Sequence, residues 1–175
     1  MEMNQINLKI DRDYNFDRER SDKFEPLLKK IIGETFLVND PQRDMHQATD
    51  LLILTAKPLT FACRVRTYEQ YLRPGYKHQF TIRSRRPSGE KTEIDKIIEG
   101  FGDYFLYGFS NPKNDGSGLM QWFIGDLRVF RRELILRGLD KLGKELPNQD
   151  RSSYFYVFEI RDFPKDFLKK IKVEE

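Results

Sequence analysis

The chain has 175 residues, of which 38% are hydrophobic and 34% are charged, and its formal net charge is +3. These proportions are typical of one globular domain with a real core, and no apolar run approaches the roughly 18 residues of a membrane-spanning helix. The N-terminal residues contain no apolar signal core, and the single cysteine, Cys63, has no partner for an internal disulfide. We therefore expect a cytoplasmic protein that does not enter the membrane, with an N-terminal arm over residues 1–20 and a single domain over residues 21–175.

The first element after the arm is an amphipathic helix that begins at Ser21 or Asp22 and ends at Gly33. Its apolar side chains follow the spacing of a helix that packs one face on a core: Phe24, Leu27, Leu28, Ile31 and Ile32. Glu25 flanks that apolar stripe. The apolar face of this helix is expected to pack on a sheet.

A strand is predicted at residues 34–38, followed by a turn and a polar loop that contains His46. His46 could act as a ligand or a base, but a lone histidine in a polar loop is more often simply solvated. It is therefore a minor candidate for a functional residue.

Residues 47–66 are predicted to form a β-hairpin with its turn at Lys57. Alternation along the second strand places Arg64 and Arg66 on one face. With the turn centred on Lys57, Asp50 lies opposite Arg64, so that one carboxylate lies beside two guanidiniums. Two interpretations stay open: a cross-strand ion pair on a solvated face, or a functional cluster of acidic and basic groups.

Basic residues are concentrated between positions 64 and 96, where aromatic residues interleave with them. Basic side chains mixed with aromatic ones suit a phosphate backbone and bases that stack, although a solvated sheet face has a similar composition. The sequence thus predicts a nucleic-acid partner. The candidate nucleic-acid-binding residues are Arg64, Arg66, Arg83, Arg85, Arg86 and Lys91.

A strand at residues 77–83 leads into a second helix, where Thr92 and Asp95 resemble a capping box. Helical spacing predicts that four apolar side chains supply its core stripe: Ile94, Ile97, Ile98 and Phe101. Glu93 and Lys96 are three residues apart and are expected to meet on one flank. That flank becomes a candidate site if the helix packs over the basic face of the sheet.

The second half of the chain is predicted to begin with a strand that has aromatic residues on both faces, which is typical of the interior of a sheet. A hairpin partner, a helix capped by Asp126, a polar connection, another strand and a terminal helix follow it. The arginines of the capped helix are expected to be solvated or to touch a backbone phosphate: Arg128, Arg131 and Arg132. The predicted ranges are 103–109, 121–124, the helix from Asp126, the connection 141–152, the strand 154–160 and the helix from Phe163 to Ile171.

This order of elements predicts an α/β fold with a mixed central sheet flanked by helices. Over residues 21–109 it resembles the PD-(D/E)XK nuclease superfamily, which has a leading helix with an acid, an aspartate at the second strand, an acid-X-lysine strand and a helix on the sheet. Asp50 matches the aspartate, Arg64-Val65-Arg66 occupies the place of acid-X-lysine, and Glu25 matches the acid of the leading helix. The resemblance implies a restriction-endonuclease-like core.

The resemblance also implies metal-dependent phosphodiester hydrolysis, in which acids hold a divalent cation that activates water. The implied metal is Mg2+ or Mn2+, held by Asp50 and Glu25, with Glu93 replacing the missing acid of the motif if the second helix overlies the hairpin. Arg66 and Lys96 are then the cations that support catalysis by Asp50 and Glu93. Arg64 departs from the motif, because a positive charge where an acid is expected repels a metal ion at short range.

Other functions remain open beside hydrolysis. The same fold could serve as a non-catalytic nucleic-acid-binding or regulatory protein, with Arg64 and Arg66 gripping phosphate. It could also be a protein-interaction module, since exposed sheet edges can pair with a partner, including a second copy in a homodimer. The sequence has no nucleotide-cradling loop, zinc-spaced set of ligands or nucleophile elbow, so kinase, zinc-protein and serine-hydrolase functions have no support.

Overall fold

The computed structural model of the chain describes residues 22–33, 59–150 and 152–173. The described strands are β1 (Phe61–Arg66), β2 (Gln79–Arg85), β3 (Tyr104–Ser110), β4 (Leu119–Asp126), β5 (Gly143–Pro147), β6 (Tyr154–Glu159) and β7 (Leu168–Val173). The described helices are α1 (residues 22–33), α2 (Tyr68–Tyr71), α3 (Glu93–Ile98), α4 (Leu127–Arg137) and α5 (Leu139–Leu142). Short 3-10 turns occupy Tyr76–His78, Ile160–Asp162 and Lys165–Phe167.

The described strands form two sheets. A four-stranded sheet has the order β1-β3-β4-β7, with β1 parallel to β3 and the other pairs antiparallel. An antiparallel three-stranded sheet has the order β2-β6-β5. The predicted α/β class with a mixed sheet is confirmed. The expectation of one central sheet is wrong, because β2 leaves the sheet of β1 and pairs with β6.

The main core lies between the two sheets. All seven residues of β3 are buried, because the second sheet covers one face of this strand and α1 covers the other. Phe80 of β2 is at the centre of an aromatic cluster, with ring centroids 5.1 Å from Phe158 and 5.6 Å from Phe123. Strand β3 lies between β1 and β4, so the prediction that this aromatic strand is inside a sheet is confirmed. The burial of the aromatic rings holds the two sheets together.

Helix α1 matches its prediction and packs on the far face of the four-stranded sheet. Its buried side chains, Phe24, Leu28 and Ile31, contact a second apolar cluster that includes Leu106 and Trp122. The helix therefore covers the face of the sheet that points away from β2 and α3.

Helix α3 begins with the predicted capping box, in which the Asp95 carboxylate accepts a hydrogen bond of 2.7 Å from the Thr92 amide. Ile94 and Ile97 are buried as expected. Ile98 and Phe101, which were also predicted to face the core, are exposed, at 53% and 66%. The helix has only six residues, so its buried stripe is a single turn long.

Helix α4 begins at Asp126 as predicted, because the Asp126 carboxylate accepts a 2.9 Å hydrogen bond from the Arg128 amide. The arginines of this helix have protein partners rather than solvent alone. Arg128 pairs with Asp126, and Arg132 pairs with Asp166. Arg131 donates to the carbonyl of Ile97 and to two carbonyls just beyond α3.

Two predictions for the last third of the chain are wrong. The polar connection contains strand β5, and the expected terminal helix is a 3-10 turn followed by strand β7. Phe167, Leu168 and Ile171 are spaced as on one face of a helix. This segment nevertheless forms a strand, because it pairs with β4. Lysines on β7 keep this outer strand polar.

Several predictions lie outside the described residues: the N-terminal arm, the strand at 34–38, His46 and the first half of the hairpin with Asp50. Within the described ranges, no helix is long and apolar enough to cross a membrane.

Candidate functional site

Strand β1 displays two arginines toward α3 and the second sheet. Within the part of the chain that the structure describes, β1 is the outer strand of its sheet. Phe61 and Val65 pack toward α1, whereas Ala62 packs on the opposite core, so that Arg64 and Arg66 share the face of Ala62. The sequence-based placement of both guanidiniums on one face is confirmed.

An ion pair joins Arg64 to Glu93, the first residue of α3. Burial of Ile94 and Ile97 holds α3 against the core and leaves the Glu93 carboxylate facing β1. Nη2 of Arg64 donates hydrogen bonds to both carboxylate oxygens, at 2.6 Å to Oε2. The Arg64 side chain is only 16% exposed and that of Glu93 is 44% exposed, so the pair is shielded from water mainly on the arginine side.

The same carboxylate also joins the second sheet. Its Oε2 accepts a hydrogen bond of 3.3 Å from the backbone amide of Arg83 in β2. Burial raises the pKa of Glu93, but the Arg64 guanidinium and the Arg83 amide outweigh burial and hold that pKa below its usual value. Glu93 is therefore an ionised group that fastens β1, β2 and α3 together.

Arg66 lies near this ion pair, and its charge interacts with both Arg64 and Glu93. Its Nε is buried and has no hydrogen-bond partner among the described residues. Burial lowers the pKa of Arg66, and the neighbouring Arg64 charge lowers it further, while Tyr107, Tyr76 and Glu93 favour the charged form. A buried donor without a partner is uncommon in native proteins, and an anion beside both guanidiniums would satisfy it.

A cleft of about 710 Å³ opens between β1, α3 and the loop at residues 100–103. Its charged lining residues are Arg64, Lys96, Glu93 and Asp103, and Phe101 also lines it. A cleft of this size is large enough for a small ligand or one nucleotide unit.

Hydrogen bonds join Thr60 and Asp103, which both line the cleft. The Asp103 carboxylate accepts hydrogen bonds from the amide and the hydroxyl of Thr60, each at 2.9 Å. The Asp103 amide donates in return to the Thr60 carbonyl at 3.0 Å. These hydrogen bonds tie the residue before β1 to the residue before β3.

Of the six predicted nucleic-acid-binding residues, only Arg64 lines this cleft. Arg66 lies beside the ion pair, and the backbone amide of Arg83 contacts Glu93. The other three lie farther along the surface. Arg85 pairs with Glu145 at 3.1 Å, and its Cζ lies 3.8 Å from the ring centroid of Tyr154. Arg86 pairs with Glu90 at 3.5 Å, and Lys91 pairs with Glu99. These side chains are held by neighbours on the protein surface.

The predicted acids are not brought together in the described residues. Glu25 lies on α1, on the opposite side of the four-stranded sheet from Glu93, and pairs with Lys29 at 2.6 Å. Glu25 and Glu93 therefore cannot hold one metal ion. The expected contact of Glu93 with Lys96 is replaced by the pairing with Arg64, and Asp50 is outside the described ranges.

No group of three or more His, Cys, Asp or Glu side chains that could hold a metal ion occurs among the residues that the structure describes. Neither a protein-family model, nor a curated protein, nor a solved structure matches the chain.

Three features of the site have only weak sequence signals. Tyr107 belongs to the predicted aromatic strand, but no local pattern in the sequence identifies it as a neighbour of Arg66. Thr60 and Asp103 are 43 residues apart, and no local pattern joins them. Glycines on both sides of Phe101 are the one signal that this residue is in a turn rather than on the apolar stripe of α3.

We predict that Glu93→Gln destabilises the fold at neutral pH and that the effect disappears in acid. Because the pKa of Glu93 is lower in the folded state than its ordinary 4.5, the ion pair stabilises the fold above that value and is lost as the pH falls through the lowered pKa. Urea unfolding at several pH values should show a loss of up to about 1 kcal/mol at pH 7.

The matched control is Glu90→Gln, because Glu90 is 57% exposed and lies 3.5 Å from Arg86 in a surface pair. Its effect should stay within about 0.5 kcal/mol at every pH. Equal effects of the two substitutions at pH 7 would contradict a special role for the Glu93 ion pair.

Proposed function

We propose that the protein binds nucleic acid at the cleft between β1 and α3, with Arg64 and Arg66 as the phosphate contacts. The observation that carries the proposal is the pair of neighbouring guanidiniums, one of which has a buried Nε without a partner among the described residues. Guanidinium groups hold phosphate through paired hydrogen bonds, and the anion relieves the repulsion between two adjacent positive charges.

Lys96 extends this positive surface along α3. Its side chain is exposed and lines the same cleft as Arg64. In and beside the cleft, the positive groups of Arg64, Arg66 and Lys96 face the carboxylates of Glu93 and Asp103, which leaves an excess of one positive charge for a polyanion. We also propose that the fold has a nuclease-like core. Two features support it: the elements α1, β1, α3 and β3 follow one another in that order along the chain, and β1 is parallel to β3.

The described residues do not fit a magnesium or manganese ion. Both oxygens of Glu93 accept hydrogen bonds from Arg64, and a cation there would lie against the positive guanidinium. Glu25 is on the other side of the sheet. Hydrolysis would need Asp50 together with a rearranged Glu93, so binding without cleavage is the function that these contacts support best.

Replacing the arginines should weaken binding in a salt-dependent way. Fluorescence anisotropy with a labelled oligonucleotide should show binding weakened about ten- to a hundredfold for Arg64→Ala, since a hydrogen bond to a charged group contributes roughly 1.5–3 kcal/mol. The slope of log K against log salt concentration should fall by about one for each removed phosphate contact. Arg66→Lys, which keeps the charge but loses the fork of donors, should also weaken binding.

The control is Arg86→Ala, which removes an equal charge outside the cleft. It should change the affinity far less than Arg64→Ala does. Equal losses for both variants would mean that the protein attracts oligonucleotides by its overall charge, and the cleft would not be the site.

A cleavage assay separates binding from hydrolysis. With labelled single-stranded and double-stranded substrates and added Mg2+ or Mn2+, we expect retention of the oligonucleotide without new fragments. Fragments that require the metal and disappear in both Asp50→Asn and Glu93→Gln would contradict this expectation and would establish metal-dependent hydrolysis instead.

A further inference from the structure

Phe101 is displayed in solvent at the edge of the cleft. Its side chain is 66% exposed, although it belongs to a residue type that is usually buried. It lies in the sequence Gly100-Phe101-Gly102, directly after α3, and it lines the same cleft as Arg64 and Lys96.

The backbone around Phe101 is held in one conformation. The Phe101 amide donates to the Lys96 carbonyl at 3.0 Å, and the Gly100 amide donates to the Ile97 carbonyl at 3.1 Å. These two bonds form the Schellman motif that ends many helices, with Gly100 at φ +100° in the required left-handed region. Gly102 has φ +81°, so glycine suits both positions that flank Phe101.

Arg131 of α4 fixes the same loop from the other side. Its Nη1 donates to the carbonyls of Ile97, Phe101 and Gly102, at 3.4, 3.4 and 3.1 Å. A guanidinium that satisfies the carbonyls at the end of a helix is stabilising, both through hydrogen bonds and through the helix dipole. The exposed ring is therefore mounted on a well-anchored turn.

The ring does not fold back as it does in many such turns. In a Schellman motif the residue at the position of Phe101 often packs against the residue at the position of Lys96. Here that residue carries an ammonium group, and both side chains remain exposed beside the cleft. An aromatic surface thus lines the same cleft as a positive charge, and that charge, on Lys96, is one helical turn from Glu93, the partner of Arg64.

We propose that Phe101 stacks an unpaired base, so that the cleft takes single-stranded rather than double-stranded nucleic acid. This inference rests on the proposed phosphate binding at Arg64 and Arg66. Bases in a duplex already stack on their neighbours, and their faces are closed to a protein side chain, whereas an unpaired base has a free face for an exposed ring. Lys96 beside Phe101 then lies near the phosphate of the stacked nucleotide.

The test compares three labelled ligands of equal charge per strand: an oligothymidine, the same backbone with abasic sites, and a duplex. Phe101→Ala should weaken oligothymidine binding about tenfold, because base stacking on an aromatic ring is of that order, and Phe101→Trp should restore it. Binding of the abasic strand and of the duplex should be unchanged by Phe101→Ala. The salt slope should also stay the same, since no charge is removed.

Leu72→Ala is the matched control, since Leu72 is a large apolar side chain that is 60% exposed and does not line the cleft. It should leave all three affinities unchanged. Circular dichroism of Phe101→Ala should match the wild type, because an exposed ring adds little to the core.

The outcomes distinguish this inference from the function on which it rests. Unchanged oligothymidine binding in Phe101→Ala, with weakened binding in Arg64→Ala, would overturn the stacking role alone. Equal loss for the abasic strand and for oligothymidine would also overturn it, since the ring would then act without a base. No binding of any ligand by the wild-type protein would overturn both proposals.

Discussion

The ionised carboxylate of Glu93 is the constraint on which the candidate site depends. It holds Arg64 of β1 through both oxygens and accepts a hydrogen bond from the backbone of β2, which belongs to the other sheet. The buried apolar residues of α3 hold this carboxylate beside β1. A single side chain thus joins two sheets and a helix at the place where they meet.

The electrostatics of the site follow from that arrangement. Glu93 satisfies one nitrogen of Arg64 and leaves Arg66 beside it as a second, partly desolvated cation. Removing a guanidinium from water has a large cost in free energy unless an anion or hydrogen-bond acceptors compensate. A phosphate group that replaces the Glu93 carboxylate at Arg64, or binds Arg64 together with it, would also lie near Arg66. It would thereby compensate for the desolvation of the Arg66 guanidinium.

Local signals in the sequence were sufficient for elements whose ends are set by neighbouring residues. The capping box at Thr92 and the cap at Asp126 are contacts within three residues, and the alternation in β1 follows from the geometry of a single strand. Signals of this kind fail when distant pairing determines the result. The last segment has a helix-like spacing that includes Ile171, yet it forms a strand because β4 offers an open edge for pairing.

The same distinction applies to the site. Sequence reasoning placed Arg64 and Arg66 on one face, since strand geometry alone requires it. Helical spacing predicts that Glu93 contacts Lys96, three residues away. In the fold, Glu93 instead binds Arg64, which is 29 residues away in the sequence. The shielded position of Arg64 makes that distant contact stronger than a solvated pair along a short helix, and no pattern in the chain reports such shielding.

The most direct test of this account is the oligonucleotide affinity of Glu93→Gln, measured beside Glu90→Gln at the same salt concentration. Loss of the competing carboxylate frees Arg64 for phosphate, so the account predicts tighter binding for Glu93→Gln than for the control with the same change in net charge. Binding by Glu93→Gln that is equal to the control, or weaker than the wild type, would contradict the claim that Arg64 is a phosphate contact restrained by Glu93.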